Sequence, residues 1–260
     1  MSSNYKGSPF ILKETNWKNV RGTKFTTAVL PWGAIEPHNF HLPYGTDIFE
    51  SEYIADSSAE YAWDKGAKVI VLPSIPFGVN TGQINYDLVI NMNPSTQFLV
   101  LKDIVDSLSR QSINKLVILN SHGGNDFKPM IRELQLLYPK VFVCLINWYT
   151  VPGIDRYFDE PGDHAGEMET SMMLKISPEL VLLLSEAGEG AERKFKVKGL
   201  REKLVWAPRD WAKVTADTGV GNPKLSSAEK GERFLLELQK TIGDFLVELD
   251  AIKLNDLYEK

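Results

Sequence analysis

The sequence predicts an α/β protein whose mainly parallel sheet is covered by helices on both faces. Three observations carry that expectation. Short runs rich in Val, Ile and Leu recur along the chain, as buried strands require. Each run is separated from the next by enough residues for a helix. Several of the intervening stretches repeat their apolar side chains at helical spacing.

Taken in order, Thr26–Leu30 is the first expected strand, followed by a helix over Asp47–Asp64 with Thr46 as its N-cap. Val69–Leu72 is the second strand. Asn93-Pro94 then supplies a cap and a first-turn proline for a helix through Arg110, in which Phe98, Leu101, Val105 and Leu108 share one face. Leu116–Leu119 is the third strand, Asp126–Tyr138 a helix of weaker periodicity, and Val141–Ile146 the fourth strand. Ser226-Ser227-Ala228-Glu229 has the form of a capping box. After it, Phe234, Leu238, Ile242, Phe245, Leu249 and Ile252 keep one face of a long helix apolar. From about Leu184 to Leu225 the pattern is mixed. Within it, Arg193–Lys198 alternates and predicts an exposed strand with Phe195 and Val197 turned inward. No repeat or linker divides residues 1–260, so a single domain is expected.

Composition narrows the partners. The 260 residues are 43% hydrophobic and 24% charged, as in an ordinary globular protein. A net charge of -5 without a Lys/Arg block argues against nucleic acid as a partner. No apolar stretch approaches membrane-spanning length, and the N-terminus lacks a signal-peptide pattern, so a cytoplasmic protein without a membrane partner is expected. The lone Cys144 falls in the fourth apolar run, where a buried small hydrophobe is expected.

All four histidines fall in three polar segments, each with carboxylates or a Gly/Asn cluster beside them. Glu36 and His38 are two apart, so in an extended loop both side chains leave the same side of the backbone. Asp47 starts the next helix and points back toward that loop. His122 adds a donor from beyond the third strand, and Gly123-Gly124 let the backbone approach closely. In open α/β sheets such loops form the ligand crevice. Neutral nitrogen and anionic oxygen donors together point to a divalent metal site, and a shared carboxylate suits a pair of ions. If a helix begins near His164, Glu169 shares a face with Met172 and Met173, while Glu167 points about 200° away. Glu169 is then either a metal ligand or half of a structural ion pair. Asp163 and His164 at the mouth of that helix suit either proton transfer or capping. His41 reads as structural or substrate-facing. Other schemes lack their residues: there is no Gly-x-Ser-x-Gly elbow and no Walker loop, and Gly188-Glu189-Gly190 is too short to cradle phosphate.

Residues 33–43 with Thr46-Asp47, residues 120–125 and residues 163–171 together resemble the creatininase family. The resemblance implies a three-layer α/β/α sandwich, two divalent ions per chain (Zn²⁺ or Mn²⁺, with Fe²⁺ also compatible with the donors) and a homo-oligomer, often a hexamer. It implies Glu36, His38, Asp47, His122 and Glu169 as ligands, with Asp47 bridging, and His164 as the proton-transfer residue assisted by Asp163. It further implies hydrolysis of a C–N bond in a small polar or cyclic amide. Trp148, Tyr149, Gly123 and Gly124 are the candidates for contact with that small-molecule substrate. The sequence departs from creatinine-hydrolysing members at Gly124, where they carry a glutamate, at Pro37 and Asn39-Phe40, and across residues 77–86. Creatinine is therefore not the expected substrate. The altered wall leaves a C–C ring-opening hydrolase and a non-catalytic metal-binding protein as alternatives.

Overall fold

A computed structural model of the protein describes residues 6–259. Four strands, β1 (Thr27–Trp32), β2 (Val69–Val71), β3 (Lys115–Asn120) and β4 (Phe142–Asn147), form an all-parallel sheet in the order β2-β1-β3-β4. Every residue of β1, β2 and β3 is buried, which is why the middle of each strand reads as an apolar run. β4, one of the two edge strands, is only half-buried, so Cys144 is less enclosed than expected, although burial still pushes its thiol up to about 12.

The helices are α1 (Trp17–Val20), α2 (Thr46–Asp64), α3 (Pro94–Arg110), α4 (Lys128–Leu137), α5 (Glu167–Ile176), α6 (Lys198–Arg201), α7 (Trp211–Val214) and α8 (Ala228–Ala251). On one face, Val29, Val71, Val117 and Leu119 pack with Ile54 of α2, Met172 of α5 and Leu238 of α8. On the other, Ala28, Leu30, Leu116 and Ile118 pack with Leu101 and Val105 of α3 and Leu134 of α4. This is the three-layer α/β/α arrangement. Alternation along each strand sorts the side chains into two cores. Lys115 is the buried cation of β3. Its Nζ donates to the carbonyls of Leu249, Asp250 and Ile252, so it caps the carboxyl end of α8.

The expected strands are present, but β1, β3 and β4 run one or two residues further at their carboxyl ends, onto polar Asn120 and Asn147. Several caps differ. Thr46 lies inside α2, behind Gly45, and its hydroxyl donates to Pro43 O at 2.7 Å. Asn93 precedes Pro94 without a side-chain cap bond; its Oδ1 accepts from Asn91 instead. Ser227, not Ser226, caps α8 by accepting from Lys230 N, while the Ser226 hydroxyl donates to Glu167 O. α5 begins at Glu167, so the Asp163-His164 pair precedes it and does not cap it. Arg193–Lys198 is not a strand: it has no ladder partner among the described residues, α6 begins at Lys198, and Val197 is exposed. Alternation alone cannot supply the neighbour whose hydrogen bonds a strand needs.

Candidate metal centre

The order β2-β1-β3 places the chain's direction change between β1 and β3. After β1 the chain turns to one side through α2 and β2, then returns through α3 to the opposite side as β3. Loops leaving the carboxyl ends of β1 and β3 therefore part from each other and leave a crevice between them. Residues 33–45 line it from β1, residues 121–125 from β3, and the first turn of α2 closes it. Glu36, His38, Asp47, His122, His164 and Glu169 are all buried there.

His122 Nδ1 lies 2.9 Å from Glu36 Oε1 and 3.1 Å from Asp47 Oδ2. His38 Nε2 lies 3.2 Å from Asp47 Oδ1 and 4.0 Å from Glu36 Oε1. His164 Nδ1 is also 4.0 Å from Glu36 Oε1. Three overlapping groups result: Glu36–Asp47–His122, His38–Asp47–Glu169, and Glu36–His38–His164. In each, the donor atoms lie within 4.8 Å of one another. The first two share Asp47 through different oxygens, as a carboxylate between two ions would.

Each imidazole is aimed by its other nitrogen. His38 Nδ1 meets Glu36 O at 3.0 Å, His122 Nε2 meets Val79 O at 3.0 Å, and His164 Nε2 meets Pro37 O at 3.0 Å. A carbonyl only accepts, so these nitrogens carry the protons. The inward nitrogens, Nε2 of His38 and Nδ1 of His122 and His164, are then the ones left to offer a lone pair to a cation once any proton shared with the carboxylates is displaced. This is the arrangement of metal-ligating histidines. Asp47 Oδ2 is buried and accepts no hydrogen bond, although His122 Nδ1 is near. Donor types and this unsatisfied oxygen fit a divalent cation better than a hydrogen-bonded network.

Charges in the cluster are strongly perturbed. Burial opposes an imidazolium at His38, but Asp47, Glu169 and Glu36 prevail and carry it up to about 9. Burial likewise opposes charge at His122, yet Glu36 and Asp47 hold it well above the usual range. Burial raises Glu169 to about 7, with Asp47 and Glu36 adding to its effect and His38 opposing. Burial and the neighbouring His38 lower His164 to about 4, leaving it neutral near pH 7. Protons hold this centre together where cations are lacking, and cations would displace them.

The expected residues divide in informative ways. Glu169 faces the cluster, its Oε2 accepting from Ala165 N, whereas Glu167 takes the structural ion pair, with Lys230 and Glu160 N. Asp163 is exposed and turned away from the His164 ring to Arg209, 2.6 Å from its Nη1, so the expected Asp163–His164 relay is not formed. The His164 ring instead lies 4.1 Å, centre to centre, from His38 and 4.9 Å edge-on from Trp211. Trp148 is fully buried, donates to Ser121 Oγ and packs in the core, so its side chain is closed to a substrate. The Tyr149 hydroxyl accepts from Asn120 Nδ2 at 3.2 Å, at the carboxyl end of β3. Gly123 and Gly124 are exposed at the rim. His41 is buried against Thr170 Oγ1 at 2.9 Å, a packing role.

Other contributors carried little local signal. Gln83 donates to Glu36 Oε2 from the 77–86 loop. Asn120 donates to His122 O and accepts from His122 N and Asn125 Nδ2, fixing the β3 loop. The polar Asn that ends an apolar strand was the one available clue to that role. Trp211, with Arg209 stacked over it at 4.5 Å, brings the unplaced 184–225 segment onto the site.

Residues 13–246 match the family model Creatininase, described as creatinine amidohydrolase. A mycofactocin precursor peptide peptidase of Mycolicibacterium smegmatis is 24% identical over 219 residues, covering 83% of this chain and 82% of that protein. Creatinine amidohydrolase of Pseudomonas putida is 26% identical over 241 residues, covering 85% and 88%. A crystal structure of a provisionally named creatinine amidohydrolase from Bacteroides fragilis superposes with a TM-score of 0.90 at 43% identity, covering 96% of this chain and 99% of that one. Creatininase structures in a Zn–Zn form and a Mn form superpose at 0.75 with 22% identity, covering 94% and 99%, and speak for the fold. A family model spanning most of the chain, over a shared architecture and a buried His/carboxylate centre, leads to one conclusion: the chain belongs to the creatininase family.

Proposed function

We propose that this protein is a hydrolase that cleaves an amide C–N bond at a dinuclear divalent-metal centre holding Zn²⁺ or Mn²⁺. Glu36, Asp47 and His122 would hold one ion, and His38, Asp47 and Glu169 the other. The observation that carries this reading is the pair of buried donor clusters sharing Asp47, with each imidazole's inward nitrogen free of a carbonyl. When bound, such ions lower the pKa of coordinated water and polarise a carbonyl.

The chain supplies the remaining chemistry. His164 Nδ1 faces the cluster, so it accepts a proton from the attacking water and delivers it to the departing nitrogen. Pro37 O holds Nε2–H and keeps that lone pair directed inward. Trp211 covers the ring on one side. Asp163, paired with Arg209, serves at the entrance as a wall residue.

The substrate is an amide other than creatinine. A Cβ at Gly124 would meet Val79 O at 2.3 Å and His122 Nε2 at 2.4 Å, so the 77–86 loop fills the space where creatinine-hydrolysing relatives carry their glutamate. The expected restriction to non-peptide amides has no support, because a relative named for peptide cleavage matches at similar identity to the creatinine amidohydrolase. Those relatives give neither C–C ring opening nor a non-catalytic role any support. We also place the protein, on the family resemblance, as a single-domain chain in a cytoplasmic homo-oligomer, whose mass light scattering measures. Among the described residues no helix is long and apolar enough to cross a membrane.

The test is amine release by Zn²⁺- or Mn²⁺-loaded protein from creatinine, cyclic amides and short peptides. We expect turnover of a cyclic amide or a peptide and little of creatinine. H164A should lose on the order of 10²–10⁴ in rate with unchanged metal content. No amine release from any amide, or an H164A variant as fast as the parent, would reject the reading.

A further inference from the structure

The helix that presents Asp47 buries a second acid that the donor clusters leave out. Glu50 stands one turn further along α2 on the same inward face. It is 0% exposed, and among the described residues neither Oε1 nor Oε2 has a hydrogen-bond partner. The charges bearing on it are those of Glu169 and Asp47, both acidic. A buried carboxylate with neither counter-ion nor donor is among the costliest arrangements a fold can hold. Glu167, equally buried on α5, shows the ordinary remedy: Lys230 and a backbone N–H complete it. Glu50 has no such remedy among the described residues.

We propose that Glu50 is a further carboxylate of the metal centre, acting on the cation held by His38, Asp47 and Glu169. This rests on the dinuclear reading above. Glu50 lies outside the tight donor groups, so it acts from beyond them and not as an innermost ligand. Charge balance explains its presence. Glu36, Asp47 and Glu169 bring three negative charges against the four positive charges of two divalent ions. Glu50 supplies the fourth, so the filled centre is neutral without an external anion. The same residue is a liability in the metal-free protein, where it adds one more acid to a buried acidic group.

That dual character separates the proposal from a structural role. In E50Q the shape is kept and the charge removed. Metal-free E50Q should melt at or above metal-free parent, while Zn²⁺ or Mn²⁺ should raise its melting temperature less than it raises the parent's. Calorimetric titration should show one ion weakened by about 10–100-fold, the range for partners outside the innermost ligands, and the other retained. Two ions bound with parental affinities would overturn the proposal. So would metal-free E50Q that melts well below the parent or fails to fold, since that is the behaviour of a structural glutamate. Parent protein that takes up no ions would instead reject the dinuclear reading itself.

Discussion

A carbonyl on one side of an imidazole decides what the other side can do. His38, His122 and His164 each give one N–H to a backbone oxygen, and that bond fixes both tautomer and aim. The sequence makes the proposed ligands legible, since Glu36, His38 and Asp47 are close along the chain and His122 follows an apolar strand. It does not reveal Gln83, Val79 or Pro37, which hold those ligands, because a backbone oxygen has no residue type and an amide in a loop has no pattern. The Asp163–His164 relay looked natural from adjacency, yet adjacent side chains in an irregular loop need not face each other, and Asp163 turns to Arg209. Gly123 and Gly124 give a paired test. A Cβ at Gly123 meets nothing within 4 Å, whereas one at Gly124 strikes Val79 O and His122. G123A should change stability by less than about 0.5 kcal/mol. G124A should cost about 1–3 kcal/mol and weaken metal uptake by moving His122. Thermal melts of the two variants, with and without metal, check this; equal behaviour would contradict the packing argument.

Among the elements, strands β1 to β3 were readable because both of their faces are buried and their central positions are apolar, polar Thr27, Lys115 and Asn120 falling only at strand ends. Caps were less so, because several polar residues near a helix start compete for one role: Ser227 takes the cap of α8 while Ser226 bonds Glu167 O. Residues 184–225 stayed opaque for a different reason. They hold no long regular element, and their glycines serve distant backbone: a Cβ at Gly221 would meet Gly162 Cα at 2.7 Å and Gly166 Cα at 3.0 Å. That contact seats the His164 loop, which also bridges Val220. α8 supports the site in the same way from outside. At Gly231 an added Cβ would lie 2.0 Å from Ser171 O, so the α8–α5 crossing depends on that missing side chain. G231A should destabilise by at least about 1–3 kcal/mol, and by shifting α5 should disturb Glu169. Denaturant unfolding measures the first effect and metal titration the second; an unchanged midpoint would show that the helices separate without cost.

For the molecule as a whole, folding and metal binding draw on the same buried groups, so stability should follow pH differently with and without ions. Without ions, His38 sits up at about 9 because its acidic neighbours overcome burial. Its contribution is fully present below the unfolded value of about 6.5 and is lost as pH rises through about 9. Glu169, pushed up to about 7 by burial, acts in the same sense, since its ionisation costs stability as pH rises from the ordinary carboxylate value. EDTA-treated protein should therefore lose melting temperature between pH 6.5 and 9. The gain on adding Zn²⁺ or Mn²⁺ should grow over the same range, as fewer protons remain to be displaced. A flat profile for the metal-free protein would contradict this coupling.

The shared use of Asp47 is where residue, element and fold meet: the first turn of α2 carries it into the crevice between β1 and β3, and both donor groups need it. Counting ions per chain by elemental analysis, in parent and D47N protein loaded and desalted identically, tests this most directly. The account predicts two ions in the parent and loss of both in a folded D47N. Fewer than one ion in the loaded parent, or two retained by D47N, would contradict it.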